Sequence, residues 1–109
     1  MKEIKEIWRG WQGHFCCECK FHLNTLLIKG RKKIVISTVG QHYSSIENGK
    51  MSDIGVDRKY ETMVFKSSGD RWDDADVTKE LYDFFGAYND EREAQEGHYE
   101  ILNRVKEWI

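Results

Sequence analysis

Two apolar runs meeting at a glycine constrain this chain more than any other feature. Residues 21–39 read FHLNTLLIKG and then RKKIVISTV, with Gly30-Arg31 between the runs. Both alternate with the period of a β-strand, so the stretch predicts a hairpin that starts the sheet. In the first strand Leu23, Thr25 and Leu27 share one side, and His22, Asn24, Leu26 and Ile28 share the other. In the return strand Ile34, Ile36 and Thr38 oppose Val35, Ser37 and Val39. Both sides are partly apolar and need a cover: a helix on one, the N-terminal segment or a partner chain on the other. Lys29, Arg31, Lys32 and Lys33 crowd the tip. Such a run reads as a solvated end, with phosphate contact as the alternative.

The rest of the chain supplies further strands and the cover. Tyr60, Thr62 and Val64 alternate with Glu61, Met63 and Phe65, a strand rich in β-branched and aromatic residues. Ile4, Ile7, Trp8 and Trp11 have a helical spacing that Gly10 and Gly13 interrupt. The expectation there is a brief turn or helix to about Ile7, then a strand over 8–15. Residues 43–46 and 51–54 flank Asn48-Gly49, a turn dipeptide, and suit a minor hairpin or a binding loop. Leu81, Tyr82, Phe84 and Phe85 predict a helix over about 77–85, capped by Asp76 and stopped by Gly86. Ala94, His98, Ile101, Leu102, Val105, Trp108 and Ile109 recur at three and four, predicting an amphipathic helix over about 90–108 with Asn89 as its N-cap. Gly97 inside it costs about 1 kcal/mol relative to Ala, which a close approach to the sheet would explain. The expected fold is α+β, a single small domain over 1–109. Its antiparallel sheet, of three to five strands with a core over about 8–66, packs against the C-terminal helix, with an acidic loop over 67–76.

Composition narrows the class. With 39% hydrophobic and 33% charged residues, the 109-residue chain reads as globular rather than disordered. It has no apolar run near the roughly 20 residues of a membrane span and no apolar leader after Met1, so a cytoplasmic location away from membranes is expected. A net charge of −2 gives nucleic-acid binding no support from the average. The three cysteines, crowded into four positions, make no spaced disulfide framework and fit a reducing compartment.

The densest chemistry is the run His14-Phe15-Cys16-Cys17-Glu18-Cys19. Cys16 and Cys19 have the spacing of half a zinc site; His22 would close a tight chelate, with His14 or His42 as the fourth ligand. A redox pair fits less well, because this CxxC runs into a strand rather than opening a helix. The competing reading is a cysteine-rich turn of small hydrophobes, with no cofactor. Trp8 and Trp11 are candidates for an aromatic contact surface, or else for the core. His42 and Tyr43 are candidate loop contacts. Trp72, Asp73 and Asp74, with Asp76, form an acidic knot able to meet a cation or a basic partner. It lacks the glycine and distal glutamate of an EF-hand, and carboxylates in a solvated loop have no cause for a raised pKa.

Several of these residues carry a resemblance. Gly13-His14-Phe15, Cys19-x-Phe21, Asn24-Thr25-Leu26 and Ile36-Ser37-Thr38-Val39-Gly40 resemble a family of small uncharacterised proteins encoded by bacteriophages and prophages. Ile54-Gly55, Arg58, Tyr60-Glu61-Thr62-Met63 and Trp72 with Asp74-Ala75-Asp76-Val77 are similar to its later signature. The resemblance covers roughly positions 8 to 78. In that family the position of His22 tends to be basic and Cys17 is not fixed, which weakens a zinc site built on either. The resemblance implies an accessory role in a mobile element, one form being interference with a host system.

The leading functional expectation is therefore a small non-enzymatic protein that acts on a protein partner, with a homodimer as one arrangement of its two-sided sheet. One alternative is a metal-dependent hydrolase using His14, His42 and Asp73, Asp74 or Asp76. The other is a zinc-stabilised nucleic-acid module with Cys16, Cys19 and His22 as ligands and the basic hairpin tip on phosphate.

Overall fold

The computed structural model describes residues 3–8, 19–45, 50–52, 60–69 and 75–109. The strands are β1 (Ile4–Trp8), β2 (Cys19–Lys29), β3 (Lys32–Ser45), β4 (Lys50–Ser52), β5 (Tyr60–Ser67) and β6 (Ala75–Tyr88), followed by helix α1 (Glu91–Trp108). They form one antiparallel sheet in the order β1-β2-β3-β5-β6, with β4 beside the far end of β3. The α+β class, an antiparallel sheet against a C-terminal helix, is what the structure shows.

The hairpin forms as its sequence dictates. Lys29 pairs with Lys32, leaving Gly30 and Arg31 as a two-residue turn. Gly30 has φ 62°, the positive value that a mirror-image hairpin turn needs and that L side chains resist. The alternation then sorts the two sides. Leu27, Ile34, Ile36 and Val64 pack with Ile101, Leu102 and Val105 of α1. On the opposite side Leu26, Val35, Phe65 and Ala75 form a separate cluster flanked by Ile7, Ile28 and Met63. The minor hairpin is present too, Tyr43 standing opposite Met51, while its Asn48-Gly49 turn lies outside the described residues.

Two expectations are corrected. Residues 4–8 are a strand, not a turn or helix: they pair along β2 from Ile4 opposite Lys29 to Trp8 opposite Thr25. The expected strand over 9–15 lies outside the described residues. The segment expected as a helix over about 77–85 belongs to β6, the sixth strand of the sheet. The misleading signal has a physical origin in two register shifts. Between Glu80 (opposite Phe65) and Phe85 (opposite Met63), β6 places four residues against Val64 alone. This bulge puts Leu81 and Phe84, three apart, on the same core cluster, imitating a helical stripe. A second shift places 76–79 against Lys66, and here Asp76 Oδ1 accepts from the Thr78 N–H (3.0 Å) and hydroxyl (2.6 Å). Asp76 thus does bind a backbone N–H two residues on, but inside a bulged strand rather than at a helix start.

Helix α1 begins one residue later than the sequence implied. Asp90 is its N-cap, accepting from the Glu93 N–H at 2.8 Å, and the Glu93 carboxylate in turn accepts from the Asn89 N–H at 3.3 Å. Ala94, Gly97, His98, Ile101, Leu102 and Val105 are its buried face. Lys106 and Glu6 form a salt bridge that ties the helix to β1. Gly97 earns its place by contact: a Cβ there would run into the Tyr88 ring, and one on Gly86 would meet the Tyr88 hydroxyl. Tyr88 is thus wedged between a strand glycine and a helix glycine.

Gly97→Ala should therefore destabilise the protein by about 1–3 kcal/mol in urea denaturation, although alanine is the better helix former. A double-mutant cycle with Tyr88→Leu should recover most of that loss. An additive cycle would refute the wedge.

Candidate functional site

Beneath the middle of α1 the sheet presents hydroxyls where a core would ordinarily be apolar. Thr25 of β2, Thr38 of β3 and Thr62 of β5 are all buried and lie on the helix-facing side. His98 reaches down between them. Its Nε2 lies 2.9 Å from the Thr25 hydroxyl and its Nδ1 2.7 Å from that of Thr38. Thr38 continues to Thr62 at 2.6 Å, and Thr62 to the Tyr88 phenol. A neutral imidazole has one donor and one acceptor nitrogen, and each hydroxyl can turn either way, so the whole line can be satisfied. Directly opposite Thr62 stands Gly86, which leaves Tyr88 room to fold back towards that hydroxyl.

Burial sets the electrostatics. His98 has no exposed surface, and desolvation, with a smaller contribution from His22, pushes its pKa from 6.5 down to about 4. It is neutral at pH 7 with both ring nitrogens engaged, because a second proton would put a charge where burial leaves it unsolvated. Burial is also the main cause that raises the Tyr88 phenol above its ordinary value. This histidine anchors the helix to the sheet.

What reaches solvent is the aromatic cover. Trp8, at the end of β1, meets the His98 ring edge-on at 6.1 Å and stacks against Tyr99 at 6.5 Å. Trp8 is 46% exposed and Tyr99 48%. The strand brings one ring, the helix the other, and the buried histidine fixes the spacing from below. Trp8 was legible in the sequence as a contact candidate; Tyr99 was not, because it sits next to the helix's apolar stripe rather than on it.

The other candidates are scattered or lie beyond description. Trp11, His14, Cys16, Trp72, Asp73 and Asp74 fall outside the described residues. Cys19 and His42 are directly opposite each other where β2 pairs with β3, and Tyr43 follows opposite Met51 of β4. His22 is buried, its Nε2 3.4 Å from the Ser37 hydroxyl. Among the described residues no three of His, Cys, Asp and Glu gather as a metal site would require, and no helix is long and apolar enough to cross a membrane. Hydrogen bonds from Thr78 lower the pKa of Asp76, which keeps it ionised. Trp108, expected on the buried stripe, is instead 54% exposed at the last turn of α1.

The His98 anchor gives the fold a pH dependence of defined sign. With a folded pKa near 4 against 6.5 unfolded, the unfolded chain binds more protons between those values, so stability falls as pH drops from about 6.5 to 4. The loss amounts to about 3 kcal/mol at most, from 1.36 kcal/mol per pKa unit. Urea melts should show that slope reduced in His98→Gln, and the wild-type His98 ring resonances should not titrate between pH 7 and 5.

No family model, no curated protein and no solved structure matches this chain.

Proposed function

We propose that this chain is a non-catalytic binding protein that captures an extended segment of a partner protein along the outer edge of β1. The observation that carries this reading is the joining of an edge strand to an exposed aromatic platform. Among the described strands β1 has one neighbour, β2, so its other edge offers backbone N–H and C=O groups to an added strand. Trp8 and Tyr99 stand at the end of that edge, stacked and about half exposed. Large rings held open in this way are the side chains that most often dominate protein interfaces. His98 supports Trp8 from below and the Lys106–Glu6 salt bridge joins β1 to α1, so the two rings already stand side by side before capture. Capture of this kind would suit the interference with a host system that is one form of the accessory role implied by the resemblance to phage-encoded proteins.

A displayed library of random peptides selected on the immobilised protein tests the reading. Enriched peptides should alternate apolar and polar residues, slow hydrogen exchange in β1, and bind at least tenfold more weakly to Trp8→Ala and Tyr99→Ala. Enrichment unaffected by both substitutions would overturn it. So would a concentration-dependent dimer lost in Trp8→Ala, which would assign the edge to a second copy of the chain.

A further inference from the structure

A second surface lies at the C-terminal end of α1, nine residues beyond Tyr99 at the helix middle and so roughly 14 Å along the helix axis. The β2–β3 turn, the end of β5 and the last turn of α1 enclose a groove of about 460 Å³ there. Arg31, Lys32, Lys33 and Lys66 line it together with Ser67 and Trp108, and no described carboxylate does. Lys66 joins the hairpin's charges only through the fold, because register sets it opposite Ile34. A neighbouring groove of about 390 Å³ shares Arg31 and Lys32 and adds Lys29. None of Arg31, Lys32 and Lys66 is in an ion pair with a carboxylate among the described residues. In a chain whose net charge is −2, this is a marked local segregation of positive charge.

Trp108 turns a charged patch into something more selective. Its ring is 54% exposed, held edge-to-face against Phe84 at 5.5 Å. Its other flank borders a groove that carries Glu80, Asp83 and Arg104, so only the first side has cations as its sole charges. An anion is drawn more strongly to the side that carries cations alone. The basic residues also offset the negative end of the α1 dipole, which by itself would account for some positive charge here. It would not account for an indole left half in water beside them.

We propose that this groove binds single-stranded nucleic acid, with Arg31, Lys32 and Lys66 on phosphates and a base stacked on Trp108. An acidic peptide would satisfy the cations but leaves the indole without a planar partner. A duplex keeps its bases stacked internally, so a ring inside a groove meets a base only on a single strand. The surface is separate from the β1 edge, and either can fail alone.

The test is fluorescence anisotropy of a labelled twelve-residue oligothymidylate with the full chain. Binding should weaken with salt at a log–log slope of about −2 to −3, from roughly 0.7 per phosphate contacted. Lys66→Ala and Arg31→Ala, both at the surface, should each flatten the slope by about one contact. Trp108→Phe should bind within a few-fold of wild type and Trp108→Ala roughly tenfold or more weakly. An abasic oligomer of equal length should bind more weakly and be indifferent to Trp108→Ala. Equal binding of the abasic strand, of polyglutamate or of phosphatidylserine vesicles would overturn the proposal in favour of plain electrostatic attraction. No binding at 50 mM salt would overturn it outright.

Discussion

The imidazole of His98, bonded at both nitrogens, is the interaction on which the rest of this structure turns. A helix on a sheet is normally held by apolar contacts that tolerate sliding. Here one side chain fixes α1 to β2 through Thr25 and to β3 through Thr38, and the line of hydroxyls carries the constraint on to β5 and β6. A one-residue slip of any of these strands would turn its hydroxyl to the opposite side and leave a buried polar group unpaired. The register of four strands and the seating of the helix are therefore specified together. Such networks cost desolvation and return uniqueness. The apolar cluster of Leu27, Ile36, Ile101, Leu102 and Val105 beside it supplies the driving force that the network does not.

Much of this was written plainly in the sequence. The hairpin needed only two alternating runs and a glycine, and α1 only a stripe recurring at three and four. Those are local periods, and they survive because each element keeps a regular geometry. β6 was illegible for the opposite reason. Its bulges break the alternation and set Leu81 and Phe84 on one side at helical spacing, so the pattern that identifies a strand is absent where the strand is most irregular. The N-terminal strand was obscured in a related way, since Ile4 and Ile7 serve clusters on opposite sides of the sheet while their spacing imitates one helical face.

The candidate surfaces divide along the same line. Trp8 and the basic turn stand out as single residues or short runs, and a sequence displays those directly. Tyr99 beside Trp8, and Lys66 and Trp108 beside Arg31, are brought together only by pairing and packing. The thiol-rich run that dominates the sequence by chemistry contributes only Cys19 to the described fold, as the first residue of β2 opposite His42. The two surfaces argued from the structure instead lie along one helix, Tyr99 at its middle and Trp108 at its last turn.

The irregularity of β6 has a consequence for assembly. An edge that places four residues against one, twice, cannot offer a regular ladder to an incoming strand, whereas the five residues of β1 can. Of the two strands that end the β1-β2-β3-β5-β6 order, β1 is the more regular. Irregularity of that kind in β6 is one of the devices by which a sheet keeps an outer strand from pairing with another chain.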